Sequence, residues 1–124
     1  MTTTLSGADI ALERALTYTD GSHTAADIAA GVADGTFQRW DMERSVIVTE
    51  VREVPGYKYL LFFLAGGNMA ELRALVPVIL EWGKRQGCAR AQLVGREAWT
   101  RTWLTREGWT HRACVLELTL EGGI

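Results

Sequence analysis

Few residues in this chain stand where their chemistry would be of use, and most lie in its second half. Gly66-Gly67 is followed by Asn68, Met69 and a long apolar-periodic run, the pattern of a strand that turns into a helix. Backbone N–H groups at such a helix start, aided by the helix dipole, suit a phosphate. The same pair also fits a bare strand-to-helix turn that needs glycine, with Asn68 capping the helix and Glu71 three residues on. Arg96 follows Gly95 at the end of an apolar segment and could reach a phosphate or an acidic partner. Trp99 and Trp103, four apart on one helical face, suit a pocket wall, a contact surface or the core. His23 and His111 are isolated, with no carboxylate or cysteine spaced for a metal or a triad. Cys88 and Cys114 lack metal-ligand spacing and a secretory context, and read as reduced, buried thiols. No metal site is expected, and no Ser/His/Asp motif supports hydrolysis.

Charge is uneven along the chain although the net value is only −2. Residues 1–83 carry six basic and eleven acidic side chains, a balance of −5. Residues 84–112 carry seven basic side chains, Arg96, Arg101 and Arg106 among them, against Glu97 and Glu107, a balance of +5. Such a stretch is either a surface for phosphates, nucleic acid or an acidic partner, or an ordinary solvated helix face. The negative total and the lack of any recognition motif speak against nucleic acid.

These residues must be positioned by one domain, since 124 residues leave little room for a second. Composition is ordinary for a globular chain: 48% hydrophobic and 23% charged. The N-terminus reads as neither signal nor transit segment, and the longest apolar run, Leu60 to Ala65, is too short to span a bilayer. A cytoplasmic protein is expected, one that could later be packaged in a particle.

The periodicity predicts a helix over residues 7–18 and a second between Thr24 and Asp34, opened by a Thr24/Asp27 near-capping-box. Strands follow at Thr36–Asp41, Arg44–Val54 and Tyr57–Leu64, the last covered on both faces, with Pro55-Gly56 as a type II turn. The best helix is residues 68–86, with Met69, Leu72, Leu75, Val76, Ile79, Leu80 and Gly83 on its buried face. Pro77 predicts a kink or a break inside it. Ala89–Val94 reads as a short strand, Arg96–Glu107 as a short helix and Trp109–Leu120 as a final strand. The expected class is α/β (α+β): a mixed sheet in the order α-α-β-β-β-α-β-α-β, an antiparallel meander followed by a β-α-β crossover.

This order resembles the GNAT N-acetyltransferase superfamily. Leu80-Glu81-Trp82-Gly83-Lys84-Arg85-Gln86-Gly87 is similar to the end of that family's central helix, Ala89 to Val94 to the strand after it, and Gly108-Trp109 to its Gly-Phe pair. Gly87-Cys88, Gly95-Arg96, Trp99, Gly108-Trp109 and Thr49-Glu50 carry a narrower likeness to small GNAT-like proteins of phages and prophages. The resemblance implies an acyl-CoA pyrophosphate held at Gly66, Gly67, Asn68 and Met69, with Arg96 near a CoA phosphate. It also implies a general base, for which Glu50 is the nearest candidate.

The chain departs from the family at each of these parts. Gly67-Asn68-Met69-Ala70-Glu71-Leu72 lacks the leading Gln or Arg and the later glycines of the phosphate loop. Leu104 stands where a Tyr proton donor is usual, and Tyr57 to Leu64 has no acid. Two expectations follow. One is a non-catalytic GNAT-fold phage or prophage protein that binds phage or host proteins through Trp99, Arg101, Trp103 and Arg106, virion-associated, in assembly or host-directed. The other is a divergent acyltransferase using acetyl-CoA and direct attack by an amine. A homo-oligomer is left open, and no membrane role is expected.

Overall fold

The β-branched run that follows Arg44 becomes the middle of a four-stranded sheet. The structure, a computed structural model, describes residues 5–113 and 115–120. Its strands are β1 (Phe37–Asp41), β2 (Val46–Val54), β3 (Tyr57–Gly66) and β4 (Arg90–Leu93), in that spatial order. β1, β2 and β3 form the antiparallel meander, and β3 pairs in parallel with β4 across α3 (Met69–Arg85). The mixed sheet with meander and crossover is therefore as the sequence pattern indicates. Val48 pairs with Leu64 and Thr49 with Phe62, so Phe63 is an extra residue that bulges β3 and turns its last residues.

Helices cover both faces. α1 (Gly7–Leu16) and α2 (Ala25–Asp34) each open on a capping box, Ser6 with Asp9 and Thr24 with Asp27. Ala8, Ala11, Leu12, Ala15 and Ile28 from these helices bury Val46, Val48 and Leu64. On the other face Leu72, Leu75, Val76 and Ile79 of α3 meet Ile47, Leu60 and Phe62. Each such buried side chain contributes about 1.5–3 kcal/mol. Gly83 lets α3 lie close on β3, since a Cβ there would stand 2.9 Å from Leu60 Cδ2. Arg39 ties α1 to β1 by bonds of 2.7 Å to Asp9 and 2.8 Å to Asp41. The Arg39 bond to Asp9, with the Ser6 backbone, holds the Asp9 carboxyl below its ordinary value.

Several expectations are corrected. α3 runs unbroken through Pro77, and Met69 faces outward, 50% exposed, because Asn68 caps the helix and sets its phase. Gly56 is not among the glycines of positive φ, so the Pro55-Gly56 turn is not type II. Arg96–Glu107 is not one helix but two 3-10 turns, Glu97–Arg101 and Trp103–Glu107. Thr102 divides them: its backbone is extended, and its hydroxyl donates to the Trp99 carbonyl and accepts from Leu104 N. The final strand is not formed, since residues 109–113 and 115–120 join no sheet. Cys88 is a free thiol, half-buried rather than buried, with its pKa pushed up by burial; Cys114 lies outside the described residues.

Candidate functional site

Where β3 ends, three distant arginines meet. α1 and the Thr17–Thr19 turn after it form one wall of a cleft of about 490 Å³, with Arg14 and Tyr18 on that wall. Arg44, from the turn before β2, and Arg96, from the segment after β4, face the same space, with Gly66, Gly67 and Asn68 at its base. The Arg96 guanidinium lies over the Tyr18 ring, 3.9 Å from its centre. Among the described residues no carboxylate lines the cleft, and none of the three arginines forms an ion pair. A concave site of this size with unpaired guanidinium groups suits an anion, above all a phosphate.

Gly66, Gly67, Asn68 and Arg96 are thus brought together, with Met69 beside them. The glycines, however, have packing reasons of their own. A Cβ on Gly66 would lie 2.9 Å from the Ala11 carbonyl oxygen of α1. Gly67 has φ +120°, and a Cβ there would press on the Arg44 carbonyl and lie 2.5 Å from Ser45 Oγ. The α3 amides are also largely engaged. Asn68 Oδ1 accepts from Ala70 N at 2.9 Å and Glu71 N at 3.1 Å, and Asn68 N donates to Ser45 Oγ at 2.9 Å. Ser45 Oγ donates to Glu71 Oε1 at 2.6 Å, and Arg44 N donates to the same oxygen at 3.0 Å. The Glu71 charge is therefore bound to the Arg44-Ser45 turn.

Beyond Phe62 and Leu93 the strands β3 and β4 no longer pair, and β3 continues alone to Gly66. The space beside it is filled. Trp99, Trp103, Leu104 and Trp109 close on Phe62, Ala65, Leu72 and Val76, leaving a cavity of only about 10 Å³, no more than one water needs. Trp109 meets Phe62 edge-on at 5.5 Å. Trp103 packs in the core and is 7% exposed. Trp99 is half-buried against the same core, whereas Arg101 and Arg106 are exposed.

Glu50 is not part of this assembly. It pairs across the sheet with Phe37 and Leu61, and its carboxylate meets Arg52 at 3.1 Å. Four residues of strand, about 13 Å, separate it from Val46, the partner of Gly66. Arg14, Tyr18 and Arg44 escaped the sequence reading, because only tertiary folding places them beside the glycine pair. His23 packs edge-on against Phe63 at 4.7 Å. Among the described residues no cluster of His, Cys, Asp or Glu could hold a metal, and no helix is long and apolar enough to cross a membrane.

No known family profile and no curated protein matches the sequence. The fold is similar to the x-ray structure of the tetramutant of the BH1408 protein from Bacillus halodurans, with a TM-score of 0.61. That likeness covers 82% of this chain and 77% of the other at 13% identity. At such identity it shows the fold alone: a small mixed α/β domain with an antiparallel meander and a helical crossover.

Proposed function

We propose that this chain is a GNAT-fold binding protein without acyl transfer, which holds a phosphate-bearing anion in its arginine cleft. The observation that carries this reading is the filling beside β3: Trp99, Trp103, Leu104 and Trp109 pack on Phe62, Ala65, Leu72 and Val76, leaving about 10 Å³. An acyl chain reaching inward from the cleft would have to displace that core. Leu104 supplies no proton, and Glu50 is engaged by Arg52 away from the cleft. The short segments that resemble phage and prophage proteins support a virion-associated, assembly or host-directed role. The exposed Arg101 and Arg106 are the groups offered to a phage or host protein.

A second reading, acyl transfer from acetyl-CoA to an amine, draws on one observation. Arg14, Arg44 and Arg96 converge on Gly66, Gly67 and Asn68, where the family resemblance puts the CoA pyrophosphate.

Thermal unfolding with inorganic pyrophosphate, CoA and acetyl-CoA tests both readings, with thiol release measured alongside. A ligand at about 100 times its dissociation constant stabilises by roughly 2.7 kcal/mol, a shift of several degrees. Similar shifts with all three ligands, lost in Arg44→Ala and Arg96→Ala, and no thiol release, support the binding protein. Amine-dependent thiol release establishes the transferase instead. No shift with any ligand removes the cleft as an anion site.

A further inference from the structure

The last described residues carry apolar side chains that nothing covers. Leu116, Leu118 and Leu120 are 92%, 80% and 88% exposed. Alternate residues of an extended chain share a face, so once extended this segment would set these leucines in one stripe and Val115, Glu117 and Thr119 in the other. The segment has a strand's composition without a strand's partner.

The same fold leaves a strand without a neighbour. β4 is at the sheet edge, and no described strand pairs with its outer side. Its faces are divided as the segment's are: Ala91 and Leu93 pack against the α3-side core, whereas Arg90 and Gln92 are exposed. A strand laid along this edge would set its leucines beside Ala91 and Leu93. Glu117 would then fall on the face of Arg90, whose guanidinium lies over Tyr57 at 4.0 Å. The wider charge agrees, since in that arrangement Glu117 would meet a stretch whose balance over residues 84–112 is +5. The opposite edge is less suited. β1 carries Arg39 bridged to Asp41 and to Asp9 of α1, charged groups of the kind that discourage strand addition.

We propose that residues 115–120 of one molecule pair with the outer edge of β4 in a second copy, reciprocally, to give a two-fold dimer. Trp109 is anchored on Phe62, which pairs with Leu93 at the end of β4, yet the segment beyond keeps its leucines in solvent. Each molecule thus offers one open edge and one unpaired strand, and two-fold symmetry satisfies both pairs at once.

Sedimentation of the full chain at micromolar concentration tests this. The expected mass is twice 13.7 kDa. Leu116→Glu combined with Leu118→Glu returns it to a folded monomer whose Tm no longer rises with protein concentration, because these side chains are exposed in the single molecule. Glu117→Arg and Arg90→Glu each weaken dimerisation about tenfold, as symmetry repeats the contact, and the two together restore it. A monomer at all concentrations overturns the proposal, and slow amide exchange over 115–120 in that monomer would assign the segment to its own β4. A dimer that survives the leucine substitutions overturns it equally.

Discussion

Trp103 is 7% exposed among Phe62, Leu72 and Val76, and its indole Nε1 has no hydrogen-bond partner among the described residues. Two opposed contributions therefore meet in one side chain. Truncation to Ala removes the ring's burial and leaves a cavity between β3 and α3, about 3–5 kcal/mol for a buried aromatic. A buried donor left unsatisfied costs about 1–3 kcal/mol. Trp103→Phe discards that donor while keeping a ring in place, so the relief offsets much of the lost contact. The expected loss is about 3–5 kcal/mol for Trp103→Ala and within about 1 kcal/mol for Trp103→Phe. In a domain of this size 1 kcal/mol moves Tm by about 3–5 °C, so the Ala variant melts about 10–20 °C lower. Urea unfolding followed by tryptophan fluorescence and circular dichroism gives the free energies, with equal m-values as the check on a shared two-state transition. A Phe variant as unstable as the Ala variant would show that the N–H makes no net demand. An Ala variant within about 1 kcal/mol of the parent would refute the reading of residues 99–109 as core, and with it the filled space beside β3.

Three further outcomes follow from the packing around the α3 start and from the helix caps. Ser45 is fully buried and its hydroxyl joins Asn68 N to Glu71, so Ser45→Ala should cost about 1–3 kcal/mol in urea unfolding. Gly67→Ala combines φ +120° with a Cβ against the Arg44 carbonyl; it should lower stability by at least about 2 kcal/mol, whereas Gly21→Ala, with open space around it, should suffer the strain alone. The Asp9 and Asp27 carboxyls are held below their ordinary value, by the Arg39 hydrogen bond and the Thr24 backbone hydrogen bond first. Their contribution is complete above the ordinary carboxylate pKa of about 3.9 and is lost as pH falls through the lowered values. Asp9→Asn with Asp27→Asn should therefore reduce stability at neutral pH and flatten its decline below about pH 4, as read from urea midpoints.

What the sequence made legible is what neighbours along the chain decide. Thr24 with Asp27, the β-branched run of β2 and Gly87 after α3 act within a few residues, and their elements form as their patterns indicate. Gly87 has φ +88°, and Cys88 N donates back to Gly83, the close of a helix that glycine permits. Arg96–Glu107 misled because its apolar spacing is helical while Thr102 competes for the backbone. Trp109–Leu120 misled for another reason: alternation gives a strand its faces, but a ladder also needs a partner, and residues 109–113 and 115–120 have none among the described residues. The candidate site was half legible. Gly66, Gly67, Asn68 and Arg96 carry local signals, whereas Arg14 and Arg44 look like ordinary surface charges until α1 and the Arg44-Ser45 turn close on the end of β3.

That division of labour decides how an anion in the cleft should respond to salt. Ala70 N and Glu71 N are spent on Asn68, and Asn68 N on Ser45. The positive charge comes instead from Arg14, Arg44 and Arg96, on three separate elements around an open cleft. Guanidinium groups in contact with water are screened as ionic strength rises, with a Debye length falling from about 10 Å at 0.1 M to about 3 Å at 1 M. Pyrophosphate affinity should therefore fall by about tenfold or more over that range. Arg44→Ala and Arg96→Ala should lower both the affinity and its slope against salt, and Gly66→Ala should act mainly through stability, since its Cβ would meet α1. Calorimetric titration with pyrophosphate at several salt concentrations reads both quantities. An affinity that holds steady with salt and survives loss of the arginines would put the anion on the Gly67 and Met69 amides, and the glycine pair would then be the binding element rather than the hinge that lets the arginines meet.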